Sequence, residues 1–138
     1  MKAVSNTRGD LSTSAQKLLE LIVRHTKTKA FIIGRPETYL GYKECCEHLG
    51  VMPPEGDVPW GRLLQQNGLN DLNEWTIRHN FPRVTGLIVN QSGDLKYLPG
   101  GDYFKSNGRN ETDFDWWEDQ IKSVAVFDWK RALKSVKL

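Results

Sequence analysis

Cysteine is nearly absent from this chain, and the two it has, Cys45 and Cys46, are neighbours. An ordinary disulfide holds its Cα atoms farther apart than one peptide bond does, so this pair is poorly placed to form one. With no second pair, the pattern argues against a secreted scaffold held by disulfides. Long hydrophobic runs are also lacking. Leu18–Val23 and Val84–Val89 are short and interrupted, against the roughly 18 apolar residues that a membrane-spanning helix needs. The opening Met1-Lys2-Ala3-Val4-Ser5-Asn6 has no apolar core of a secretory signal. The expectation is a soluble cytoplasmic protein with no membrane partner. In that setting Asn110-Glu111-Thr112, a glycosylation sequon, and Arg8-Gly9-Asp10 read as chance tripeptides.

A strong charge of either sign is missing too, since the formal net charge is only +2. That is too small to name a partner. Its distribution says more. Residues 1–48 hold eight bases and five acids, residues 49–110 six of each, and the remainder from Glu111 six acids and five bases. In this last stretch Glu111, Asp113, Asp115, Glu118 and Asp119 lead, and Lys130, Arg131, Lys134 and Lys137 follow, which complements the dipole of a helical segment. Bulk is present: five Trp, five Phe and four Tyr in 138 residues, enough for one domain that buries roughly two-thirds of its unfolded surface.

Residues 1–10 are polar and read as a frayed arm, with 11–138 as one α+β domain. Leu11, Ala15, Leu18, Leu19, Ile22 and Val23 share one helical face, with Ser12 or Ser14 as cap and Thr26–Lys29 as the end. Phe31-Ile32-Ile33 reads as a short strand closed by Gly34-Arg35-Pro36. Tyr42, Cys45, Cys46 and Leu49 make a second helix, ended by Gly50. Pro53-Pro54 breaks the chain. Asp57 then caps a third helix through Trp60, Leu63 and Leu64, which Asn67-Gly68 stops. Leu69–His79 forms a fourth, with Leu72, Trp75 and Thr76 inward. Val84–Val89 reads as a strand that turns at Asn90–Asp94 and pairs with Leu95–Leu98. Pro99-Gly100-Gly101 breaks that hairpin, and Ser106–Asn110 is a polar loop. Phe114, Trp117, Ile121 and Val124 mark a final amphipathic helix, followed by an apolar run to Phe127 and a short basic ending.

A short helix, a turn, a second helix and a later β-hairpin occur in the order of a winged helix-turn-helix, with helices at either end of the chain completing the core. In that arrangement the second helix faces the DNA major groove and the hairpin lies on the backbone. With Trp60, Leu63 and Leu64 inward, Arg62, Gln65 and Gln66 point out. Arg takes guanine and Gln takes adenine. Arg78, Arg83, Asn90, Gln91 and Lys96, at or near the hairpin, are the candidates for phosphate contact. The expectation is a non-enzymatic DNA-binding protein without a cofactor.

The segment Tyr42-Lys43-Glu44-Cys45-Cys46-Glu47-His48-Leu49-Gly50, a following helix, and then Pro82-Arg83-Val84-Thr85-Gly86-Leu87-Ile88-Val89-Asn90 resemble the DNA-binding half of the alkyltransferase-like proteins. The likeness covers about residues 39–103. It implies a winged-helix scaffold and DNA binding. It does not imply alkyl transfer, because Pro82-Arg83-Val84-Thr85 stands where that family's reactive cysteine would be. From Tyr42 through Gly100-Gly101-Asp102-Tyr103-Phe104 to Val126-Phe127-Asp128-Trp129 the chain also resembles a small domain family of bacterial and phage proteins, a likeness that implies no activity.

Catalytic patterns are thin. His25, His48 and His79 lie far apart, with no Cys or carboxylate at metal-ligand spacing. His48 neighbours Cys45 and Cys46 in sequence, but no third residue orients it as a base. Asp113, Asp115, Glu118 and Asp119 read more simply as a solvated helix start than as a Mg²⁺ site. No metal is expected. The competing function is a protein-binding regulator or inhibitor module of bacterial or phage conflict, acting through its aromatic, acidic C-terminal helix. There Trp116, beside Asp115 and Asp119 and near Tyr103, would be the contact, since Trp and Tyr dominate binding hot spots.

Overall fold

The computed structural model describes residues 11–53 and 58–136. The expected arm 1–10 and Asp57 as a helix cap lie outside the described residues. Helix α1 (Thr13–Thr26) forms on the predicted apolar face, with Leu11, Ala15, Leu18, Leu19 and Ile22 buried. The Ser12 hydroxyl caps it by accepting from the Ala15 N–H at 3.2 Å. The Ser12 N–H donates to the Asp71 carboxylate at 2.9 Å, tying the start of α1 to a later helix.

Helix α2 (Tyr42–Leu49) ends at Gly50, whose φ of 72° is the left-handed conformation that glycine adopts without strain. Helix α3 (Trp60–Leu64) is short. Its backbone then opens into a π-type turn, Gln65–Leu69, in which Asn67 and Gly68 leave helical geometry. Gly68 has φ 123°, and a Cβ there would lie 3.0 Å from the Ser14 backbone and 3.1 Å from the Ala15 nitrogen. Only glycine allows this turn to lie against the first turn of α1. Helix α4 (Asn70–His79) buries Leu72, Trp75 and Thr76 as expected and stops at Asn80.

The α+β class holds in a coarse sense: the described residues are mostly helical, with one small sheet among them. Strand β1 (Leu40–Gly41) pairs in parallel with β2 (Ile88–Val89), Leu40 opposite Ile88 and Gly41 opposite Val89. The expected antiparallel hairpin is absent. Val84–Leu87 winds as a 3-10 turn with all four residues buried, and Leu95–Leu98 is not a strand. The loop closes on itself instead: the Asn90 N–H and side-chain amide both donate to the Leu98 carbonyl at 2.9 Å, and the Tyr97 N–H donates to the Asn90 carbonyl at 2.7 Å. An isolated hairpin is marginal in water, and here the residues before it are drawn into the core on every side.

Two further expectations are corrected, and one helix appears that the sequence did not announce. Phe31-Ile32-Ile33 is no strand; Ile32 and Ile33 are exposed. The Thr38 hydroxyl accepts from the Ile32 N–H at 3.0 Å and donates to the Arg35 carbonyl at 2.7 Å, closing a loop where a strand would need a neighbour. Gly101–Ser106 forms a helix, α5, immediately after the Pro-Gly-Gly breaker, with Tyr103 and Phe104 buried. The C-terminal stretch is two helices, α6 (Phe114–Val126) and α7 (Trp129–Val136). Asp128 separates them and caps α7 by accepting from the Arg131 N–H at 3.1 Å. Asp115, Glu118 and Asp119 therefore sit on α6, with Glu111 and Asp113 ahead of it, and Lys130, Arg131 and Lys134 sit on α7, rather than at opposite ends of one helix. Among the described residues no helix is long and apolar enough to cross a membrane.

One junction joins these parts. The Trp117 indole donates to the Gly86 carbonyl at 2.9 Å, and the Tyr103 phenol donates to the Arg83 carbonyl at 3.1 Å. A Cβ at Gly86 would lie 2.5 Å from the Tyr103 ring and 3.0 Å from Trp117. Overpacking of a filled core costs about 1–3 kcal/mol. Gly86→Ala is expected to lie at or above the top of that range in urea denaturation. Gly61→Ala, on α3, meets only ordinary contact with Tyr42 at 3.8 Å. It is expected to be neutral or to stabilise by about 0.5–1 kcal/mol.

Candidate nucleic-acid interface

Helices α2 and α3 pack as a pair. Leu63 and Leu64 are buried, and Trp60 is half-buried with the Lys43 ammonium 5.9 Å from its ring. The Cys46 thiol donates to the Trp60 carbonyl at 3.6 Å, a bond between the two helices. With Leu63 and Leu64 turned in, Arg62 and Gln66 stand exposed on the far side, as the spacing predicts. Gln65 is half-buried, and its amide donates to the Asp102 carboxylate at 3.2 Å. The α2–α3 surface thus presents Lys43, Arg62 and Gln66, while Gln65 is held by α5.

The Asn90–Leu98 loop lies beside the start of α2, where the Gln91 side chain packs over Gly41 so closely that a Cβ there would meet it at 2.7 Å. Gln91 and Lys96 are exposed, and the Lys96 ammonium sits 5.0 Å from the Tyr97 ring. Asn90 is half-buried and serves as the loop's clamp. Arg78 stands exposed in the last turn of α4. Arg83 does not point outward. Its Nε donates to the Asn107 side chain at 2.7 Å and its Nη1 to the Phe81 carbonyl at 2.6 Å, so the guanidinium braces the chain after α4. Burial lowers its pKa from the ordinary value.

Between the α3–α4 turn and α5 lies a polar cleft of about 460 Å³. Asn73 spans its floor, accepting from the Thr85 hydroxyl at 3.2 Å and donating to the Ser106 hydroxyl at 2.6 Å. At one wall the Tyr42 phenol accepts from the Gly100 N–H at 2.9 Å. These residues come from four separate stretches of chain, so no motif or spacing announces them.

The residues of the competing protein-binding reading are in part covered. Tyr103 is buried, and Trp116 is half-buried against Tyr103 and Phe104, with ring centroids at 5.4 and 6.2 Å. The Arg109 guanidinium covers Trp116 at 5.1 Å. Asp115 and Asp119 are exposed. Phe114, expected inward, is 42% exposed.

Among the described residues no group of three or more His, Cys, Asp or Glu is placed to hold a metal. Both cysteines are buried, and burial pushes both thiols up, Cys45 far up. Burial likewise raises the Tyr42 and Tyr103 phenols. Reaction needs thiolate and access, so the native thiols are expected to resist Ellman's reagent at about pH 8 and to react fully in denaturant. These groups hold their protons more tightly folded than unfolded. Their stabilisation is therefore complete below the ordinary thiol and phenol values of 9.0 and 10.0 and is lost as pH rises above them. Urea midpoints measured against pH are expected to fall on that alkaline limb. Comparison of the chain with protein-family models, with curated protein sequences and with solved structures finds no match in any of the three.

Proposed function

We propose that the chain binds duplex DNA through the α2–α3 pair, with Arg62 and Gln66 at the base edges and Lys43 and Lys96 on the phosphates. The observation that supports this most directly is the division of α3. Leu63 and Leu64 turn into the core while Arg62, on α3, and Gln66, in the turn that follows it, remain exposed, and α2 and α3 are tied together through Cys46 and Trp60. A guanidinium and a carboxamide there suit bidentate bonds to guanine and adenine. In this reading the exposed loop at Gln91–Lys96 takes the place of a wing without β-strands, because it sits against the start of α2. Cations are few, so binding to an arbitrary sequence falls in the weak non-specific range, about 10⁻⁴–10⁻⁶ M at physiological salt.

Fluorescence anisotropy with a labelled mixed-sequence duplex tests it. A linear fall of log affinity with log salt is expected, with a slope of about −2 for the two lysines on phosphate. Lys96→Ala should reduce that slope by about 1. The double variant Arg62→Ala/Gln66→Ala should weaken binding about tenfold or more to a preferred sequence selected from a random pool. No binding at low salt, or binding indifferent to these substitutions, would remove the reading.

A further inference from the structure

Away from α2 and α3, the C-terminal half of α1 and the first turns of α7 flank an apolar groove of about 760 Å³. Leu19 and Trp129 form its floor and are buried, while Val23, Phe127 and Leu133 form half-buried walls. Trp129 is fixed there because its indole donates to the Val124 carbonyl at 3.0 Å. Arg24 and Lys27 stand along the α1 side. On α7, Lys130 lines the groove, and Lys134 follows four residues later on the same helical face. All four are exposed, and none forms a hydrogen bond through its side chain or an ion pair among the described residues.

Two acids lie at the rim, Glu20 and Asp128. Asp128 is engaged in capping α7 through the Arg131 N–H. With Lys134 counted, four cations stand against these two carboxylates, so the rim is net positive around an apolar floor. Phosphate would meet the cations but gain nothing from Leu19, Val23, Phe127, Trp129 and Leu133. A helix with apolar anchors about one turn apart and carboxylates beside them satisfies floor and rim together.

We propose that the groove between α1 and α7 docks an acidic amphipathic segment of a partner protein. It shares no residue with the α2–α3 pair, so it stands or falls separately from DNA binding.

The test pans the full chain against a phage-displayed library of short random peptides and measures the leading peptide by fluorescence anisotropy. Selected peptides are expected to carry Leu, Phe or Trp at i, i+3 or i+4, and i+7, flanked by Asp and Glu. Lys130→Glu/Lys134→Glu, both on exposed positions, should weaken the leading peptide at least about tenfold with the far-ultraviolet circular dichroism unchanged. Leu133→Ser should weaken it as well, while Arg62→Ala/Gln66→Ala should leave it unchanged. Selection of basic or uncharged peptides, unchanged affinity in the Lys130/Lys134 variant, or displacement of the peptide by duplex DNA would overturn the proposal, the last by assigning this face to nucleic acid.

Discussion

The contact on which most of the structure depends is the approach of two aromatic rings to a backbone without a side chain. Trp117 and Tyr103 meet at Gly86, where neither would fit against a Cβ. Because the Trp117 indole bonds the Gly86 carbonyl, α6 is anchored to the turn that leads into β2. Because the Tyr103 phenol bonds the Arg83 carbonyl, α5 is anchored to the other end of the same turn. Residues 84–87 are thereby surrounded, and buried backbone must find partners within the protein. The register of β2 on β1 follows, and with it the place of Gly41 at the start of α2.

Aromatic richness in this chain serves the interior more than the surface. Trp75, Phe81, Phe127 and Trp129 form one set, with the Phe127 and Trp129 centroids 4.5 Å apart and the Trp75 and Phe81 centroids 5.0 Å apart. Tyr103, Phe104 and Trp116 form another around α5 and α6. Offset and edge-on contacts of this kind add to area burial. They compensate for a sheet of only two residues per strand, which by itself would contribute little. The consequence for function is that a Trp beside acids in sequence, such as Trp116, is largely covered in three dimensions.

The proposed surfaces divide by physical character. Around α2 and α3 the exposed groups are polar and capable of paired hydrogen bonds, and the apolar residues are turned inward. Around α1 and α7 the cations frame an open apolar floor. Cations stand in both places, so their presence alone does not separate them. What lies between the cations does.

Helices α1, α2 and α4, the inward face of α3, and the glycine stops at Gly50 and Gly68 were legible in the sequence, because caps, left-handed stops and a 3.6-residue period are local properties. Arg62 and Gln66 were legible for the same reason: once Leu63 and Leu64 face in, their neighbours face out. Val84–Val89 was legible as buried but not as a strand, since a short apolar run does not say whether it extends or coils. Helix α7 had its signal in Asp128 ahead of Trp129, which the basic ending obscured. The role of Arg83, the cleft around Asn73, and the cationic groove were decided only by tertiary structure. Each depends on residues brought together from distant parts of the chain, and one-dimensional order carries no record of which groups will meet or which will be covered.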